Sequence, residues 1–298
     1  MVAAAVHIET RPAPRFFRRL FQNRLTLLSA LLFLALVLIA VLGPVLYPQN
    51  PTRPDYAAIN AFPSAEHLLG TDNLGRDTLA RLMIGLRISL IVAAYVEALN
   101  IVLGATLGLL AGFYGGLFDV IVTRIADMLF AFPGLLLAIL VAAIFGPAVT
   151  EQFGGIGRLL LVAGSLSLVS WPLMARLVRS QVLVLREQEF VTAARSLGAN
   201  RQWIILRHLV PNTASLVVVA STLDIASVVV NEAVLSLLGL GIQPPDPSIG
   251  KMITEAMPFL EANAWQVFFP SAALMLIVLT VSFLGDGLRD ASDPSSLT

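Results

Sequence analysis

Apolar residues in this chain gather in long blocks separated by short polar stretches. At a rise of about 1.5 Å per residue, roughly 20 apolar residues are needed to cross some 30 Å of hydrocarbon. Six segments reach that length: roughly 25–46, 88–111, 122–146, 158–178, 212–240 and 266–285. The polar stretch after the first carries Pro48, Pro51, Pro54 and Pro63, then Gly70-Thr71-Asp72 and Gly75-Arg76-Asp77. The other long interruptions are Arg179–Pro211 and Gly241–Trp265. The pattern predicts an all-α fold, a polytopic membrane bundle of about six transmembrane helices, with no internal repeat and no separate soluble domain.

Composition strengthens this reading. The chain is 57% hydrophobic and 13% charged, where a soluble domain carries about 25% charged residues. Net charge is zero, so no basic field points to nucleic acid. The absence of cysteine excludes disulfides, thiolate metal sites and a cysteine nucleophile. Arg15, Arg18, Arg19 and Arg24 precede the first apolar run as in a signal peptide, but that run is too long for one. It also ends in Gly43-Pro44-Val45-Leu46-Tyr47-Pro48 rather than a small-x-small cleavage site, and reads as a retained membrane helix.

Lys and Arg set the orientation. With the N-terminus inside, the inner segments hold 13 of the 19 Lys/Arg and the outer ones six. The expected division is a cytoplasmic N-tail 1–24, a first transmembrane helix 25–46 and an extracytoplasmic segment 47–87. A core domain 88–287 with a cytoplasmic loop 179–211 follows, then a cytoplasmic C-tail 288–298. The multi-pass chain would sit in a bacterial or archaeal plasma (inner) membrane, in contact with lipid.

Within the cytoplasmic loop, Phe190, Ala193, Ala194 and Leu197 fall at i, i+3, i+4 and i+7, one face of a helix. Gly198 suits a left-handed position after that helix. Asn200 can cap a second helix through Trp203, Ile204 and Leu206, and Pro211 begins the next span. Ala193 and Ala194 leave room for a close backbone approach. Spacing alone fits equally an amphipathic segment lying on the membrane surface.

The stretch resembles the EAA loop of ABC importer permeases: Glu-Ala-Ala, three residues, Gly, nine residues, Ile-x-Leu-Pro. Thr192-Ala193-Ala194 stands for the triplet, with Gly198 and Pro211 at matching positions. Thr192 replaces the common Glu, and His208 and Val210 stand where Ile and Leu are usual. Further matches to dipeptide/oligopeptide/nickel permeases of the C-subunit type extend from about Leu20 to Pro294. They are His67-Leu68-Leu69-Gly70-Thr71-Asp72 with Gly75-Arg76-Asp77; Gly112-Phe113-Tyr114-Gly115-Gly116; Phe132-Pro133; Glu232-Ala233 leading to Leu238-Gly239-Leu240-Gly241-Ile242-Gln243-Pro244-Pro245; and Gly285-Asp286-Gly287-Leu288-Arg289-Asp290.

The resemblance implies a type I importer permease (MetI-like) fold and alternating access. Phe190, Thr192, Ala193, Ala194, Leu197, Gly198 and Pro211 would dock two separate ABC ATPase subunits. The other implied partners are a homologous permease chain, forming a heterodimer in the family's manner, and an extracytoplasmic substrate-binding protein.

No Walker A motif is present: Gly250-Lys251 is followed by Met252 and lacks the upstream glycine. The chain therefore holds no nucleotide cofactor in a P-loop of its own, and ATP and Mg are expected on the partner subunits. No catalytic constellation is visible, so an enzyme is not expected.

Charged residues inside spans cost roughly 2.5–3.5 kcal/mol on insertion scales and are candidates for a translocation path. Asp224, Asn231 and Glu232 share a face of the fifth span, and Glu97 stands alone on the second. Glu232 lies about 30 Å along its helix from Pro211, which favours the outer headgroups, whereas Asp224 favours the path. Arg124 and Asp127 read as an i,i+3 anchoring pair. His7, His67 and His208 have no metal-ligand spacing. An ion-coupled secondary transporter using Glu97, Asp224 and Glu232 is the alternative, though inverted repeats with broken helices are not evident. Peptides, glutathione and nickel chelates are all cargoes of permeases with these motifs.

Overall fold

The computed structural model describes residues 23–243 and 245–292, and every regular element among them is helical. In chain order these are α1 (Arg24–Leu46), α2 (Thr78–Leu99), α3 (Thr106–Tyr114), α4 (Gly116–Phe130), α5 (Gly134–Leu185), α6 (Glu189–Ser196), α7 (Arg201–Ile204), α8 (Val210–Leu237), α9 (Ile249–Ala256) and α10 (Ala264–Ser292). A π-helical segment, Asn100–Ala105, joins α2 to α3, and a second, Ile205–Leu209, joins α7 to α8.

Among the described residues, five helical runs are long and apolar enough to cross a membrane. One of them, α5, has 52 residues, a length of about 78 Å at 1.5 Å per residue, more than twice the hydrocarbon thickness. It is broken at Gly154 (φ 61°, ψ −150°), a conformation that a side chain would disfavour. The chain turns back there: a β-carbon at Gly146 would fall on the guanidinium of Arg158, twelve residues later. In a straight helix those two residues would stand about 18 Å apart. The five runs therefore supply six passes, the number the apolar blocks predict.

Element ends differ from the sequence expectation in three places. The second helix starts at Thr78, capped by Asp77, whose carboxylate accepts from the Ala80 N–H at 2.8 Å. The outer segment expected at 47–87 is thus irregular only to Asp77. Arg81 lies in the first turns yet is only 2% exposed, because acids from two other segments neutralise it. The span expected at 122–146 is interrupted at Ala131–Pro133. The residue before a proline is disfavoured in α geometry, so α4 ends and α5 begins anew at Gly134. Helix α10 runs on to Ser292, past the boundary expected at 287; residues 1–22 of the N-tail and 293–298 of the C-tail lie outside the described residues.

The bundle closes through small residues. Gly104, Gly108 and Gly112 recur every fourth position on one face, and there the chain packs directly on the backbone of α5. A β-carbon at Gly108 would sit 2.3 Å from the Ala175 carbonyl oxygen; at Gly104 it would sit 2.6 Å from that of Trp171. Such stripes let membrane helices approach closely, where packing rather than water exclusion drives association. The main core lies beside this seam, with Val92, Val96, Val162, Val229, Leu235 and Ile277 at or below 1% exposure.

Replacing Gly108 with Val is expected to destabilise the detergent-solubilised protein by roughly 1–3 kcal/mol through overpacking. Gly164→Ala, where a β-carbon meets nothing within 4 Å, should leave the melting temperature unchanged or raised. Thermal unfolding of the two variants side by side checks both.

Candidate functional site

The loop between α5 and α8 folds as helix, glycine turn, helix. After α6, Leu197 leaves helical geometry and Gly198 adopts φ +83°. The Ala199 N–H returns to the Ala194 carbonyl, closing the C-terminal turn. Asn200 caps α7, its side-chain oxygen accepting from the Trp203 N–H at 2.7 Å. Pro211 is the second residue of α8, directly after the π-helical segment that continues it from α7.

The edge this loop buries overlaps the 190/193/194/197 stripe only at Ala194. Val191 (0% exposed) and Ala194 face the bundle, packed with Val182, Leu185, Ile204 and Leu209. Phe190, Thr192, Ala193, Leu197 and Gly198 face outward, with Leu197 88% exposed. Of the predicted stripe only Ala194 is buried. The connection through Arg186–Gln188 sets α6 so that the 191/194 edge meets the loop-proximal ends of α3 and α5. The Thr192 hydroxyl bonds only the Gln188 carbonyl.

His208, Phe190 and Trp203 form a small aromatic group, with His208 5.6 Å from Phe190 and 4.9 Å from Trp203 between ring centroids. Together with Leu197 and Leu206 (69% exposed) they make an apolar surface at this end of the bundle. Its base is held firmly. Arg186 donates to the Gly112 carbonyl at 2.8 Å, and the guanidiniums of Arg195 and Arg201 lie about 6 Å over the Phe113 and Tyr114 rings. These contacts explain the Gly112–Gly116 motif as the platform on which the loop stands. Beside it, Asp119 on α4 pairs with Arg179, which holds its carboxyl below the usual range. Asp127 pairs with Arg176 at 2.8 Å, not with the expected Arg124: the partner comes from α5, which packs along α4.

Glu97, Asn100, Asp224 and Glu232 lie where α2, α5 and α8 meet. Glu232 is fully buried in the bundle, close to the end of α8 at Leu237. Its two carboxyl oxygens accept from Ser89 on α2 (2.8 Å) and Ser236 (2.7 Å), making it a strut between helices. Asp224 faces the same neighbour lower down, accepting from the Asn100 amide at 3.1 Å. That amide also reaches Glu97 at 3.4 Å, so the structure brings together Glu97 and Asp224, which lie far apart in sequence. Asn231 is half-buried and its side chain makes no hydrogen bond among the described residues. Asn100, the link between the acids, has no sequence signal beyond being an amide in an apolar block.

At the opposite end of the bundle the motif residues 67–77 form a cap. Arg76 bonds Asp72 at 2.7 Å and Glu255 at 2.8 Å, and Arg81 bonds the same two acids at 3.3 and 2.8 Å. Asp77 accepts from the Tyr47 hydroxyl at 2.9 Å and contacts His67 at 2.9 Å. Burial, with the Asp77 carboxyl beside it, pushes the Tyr47 phenol up to about 12. Gln266 donates to Asn60 and to the Thr71 carbonyl, tying this cap to α10. Arg158 is buried and donates to the carbonyls of Leu240 and Gly241, the turn that ends α8. Glu255 and Arg158 escape sequence reasoning because their partners lie 82 to 179 residues away.

Two family models match the chain. Residues 104–297 match the binding-protein-dependent transport system inner membrane component, and residues 12–63 match the N-terminal transmembrane domain of oligopeptide transport permease C. The dipeptide transport system permease protein DppC of Alkalihalophilus pseudofirmus is 39% identical over 93% of this chain and 88% of its own length. The glutathione transport system permease protein GsiD of Escherichia coli is 40% identical over 95% of this chain and 90% of its own, and that of Shigella sonnei matches equally. The all-helical bundle is the type I importer permease fold. The chain belongs to the binding-protein-dependent transport inner-membrane family, as a multi-pass permease subunit of the oligopeptide group of ABC importers.

Proposed function

We propose that this permease carries peptides or a closely related solute across the inner membrane, driven by ATPase subunits that dock on the Gln188–Pro211 loop. The observation that carries the reading is the loop's division into two faces. Val191 and Ala194 anchor it to the bundle, while Leu197, Phe190 and Leu206 stand out from that anchored base as an apolar knob. A segment lying on lipid as a passive amphipathic helix would not need Arg186, Arg195 and Arg201 clamping its base. A rigid lever does.

In this reading both termini are cytoplasmic and the loop points into the cytoplasm. ATP and Mg stay on two separate ATPase chains, whose closure pushes on α6. That push reaches α3 and α5 through the packed 191/194 edge, and the spans rock between inward- and outward-facing states. A homologous but different permease subunit completes the path. The ion-knit cap around Asp72, Arg76, Arg81 and Glu255 faces the extracytoplasmic binding protein. Peptide cargo is supported by the dipeptide and glutathione relatives. The ion-coupled alternative is weakened by Glu232, whose two oxygens are already occupied by serine hydroxyls.

Leu197→Asp should leave the permease folded, since the side chain is 88% exposed, yet abolish ATPase co-purification and cut substrate-stimulated hydrolysis at least tenfold. Wild-type hydrolysis in that variant would remove the docking role. Gly198→Val should cost roughly 1–2 kcal/mol by forcing a β-branched residue into left-handed geometry, with uncoupling to match. Gly198→Asn, which tolerates that geometry better, should keep most activity. In vesicles, uptake driven by a proton gradient without ATP would refute the ATP-driven reading outright.

A further inference from the structure

One polar cluster inside the bundle is not used by the loop. Glu97 ends α2, Asn100 opens the π segment, Ser167 and Ser170 come from the second arm of α5, and Ser221 and Asp224 from α8. Asn100 is the hub: its oxygen accepts from Ser167 at 3.1 Å and from Ser170 at 3.0 Å, which leaves its amide nitrogen to serve both acids. Two carboxyls on separate helices thus share one amide donor and lie within hydrogen-bond reach of each other. A π-helical step at Asn100 is itself a common mark of functional positions within membrane helices.

The acids are under-satisfied. Glu97 is 5% exposed and its Oε2 has no hydrogen-bond partner. Ser221 lies one turn before Asp224 on the same face of α8, is 8% exposed, and its hydroxyl stands beside the Glu97 carboxyl with no well-formed hydrogen bond of its own. Among the described residues neither Glu97 nor Asp224 has an ion-pair partner, whereas the acids of the outer cap do. Asp224 is only half-buried. Its open side cannot rest against lipid without a cost of a few kcal/mol, so it faces water or protein.

We propose that Glu97, Asp224 and Ser221 receive the protonated α-amino group of the peptide in transit, a proposal that rests on reading the chain as a peptide-importer permease. An alkylammonium carries three N–H donors and no acceptor. Glu97 Oε2, the Ser221 hydroxyl and the free oxygen of Asp224 are three acceptors converging from two helices. The charge that the ammonium brings is the one the cluster lacks. A divalent metal fits less well, because no group of three or more His, Cys, Asp or Glu is suited to hold one among the described residues. Because the three acceptors come from α2 and α8, any relative movement of those helices during rocking would loosen the grip and release the cargo.

The test uses the complete transporter, with its ATPase subunits and loaded binding protein, reconstituted in vesicles. Uptake of Ala-Ala-Ala and of its N-acetyl form is measured, each at a concentration that saturates the binding protein. For each cargo the variant is compared with wild type, so the binding protein's own preference cancels. Asp224→Asn and Glu97→Gln should each slow uptake of the free-amine peptide at least tenfold while changing N-acetyl uptake less than twofold. Asp224→Glu should restore at least half of the free-amine rate. Unchanged melting temperatures in detergent will show that the variants fold. Equal slowing of both cargoes, no slowing of either, or equal impairment by Asn and Glu at position 224 would overturn the ammonium site and leave the importer reading intact. A wild-type complex that hydrolyses ATP but imports no peptide would instead remove the peptide cargo, and this site's ligand with it.

Discussion

The rest of the structure depends on the seam where Gly104, Gly108 and Gly112 lie on the backbone from Trp171 to Arg179. Hydrophobicity does not bring helices together in hydrocarbon, since lipid tails are as apolar as leucine. Close backbone contact does, and it requires the absence of side chains along one face. The seam fixes the loop-proximal ends of α3 and α5 relative to each other. Those ends carry the Gly112 carbonyl and the Phe113 and Tyr114 rings on which the loop stands. A loop seated on a rigid seam can transmit a push; the same helices seated on a mobile hairpin could not.

Hydrocarbon also supplies no hydrogen bonds, and the buried polar groups follow from that. Glu232 is satisfied by two serines and acts as a strut. Arg158 is satisfied by two carbonyls at the end of α8, left available by the turn through Gly239. Arg76 and Arg81 pair with Asp72 and Glu255, which joins the segment before α2 to α9. Against these arrangements the Glu97–Asn100–Asp224 cluster stands out, because its two acids have no ion-pair partner among the described residues. An unfilled polar group in a membrane interior is retained only where something polar visits it, which is why the cluster rather than Glu232 is assigned to the path.

The loop shows how local pattern and packing divide the work. Gly198 and Asn200 act within a few residues of themselves, one through a left-handed φ and the other through a cap, so both were readable from the chain alone. Which edge of α6 turns inward is a different matter. Phe190, Ala193 and Leu197 have the spacing of a buried stripe, yet they face out because Val191 and Ala194 fit the surface offered by α3 and α5. An apolar stripe on a short helix states only that something apolar will cover it.

Length and periodicity therefore determined the all-helical membrane fold, the six passes and the helix–Gly–helix loop, because each depends on residues close together in sequence. The motif order from His67 to Asp290 determined the family. Tertiary structure alone decided the partners of the charges: Arg81 with Glu255, Arg158 with the end of α8, Asp127 with Arg176, and Asn100 between Glu97 and Asp224. Those pairings join residues tens to more than a hundred positions apart. Which of them meet is set by how the helices pack, and no local rule of spacing carries that information.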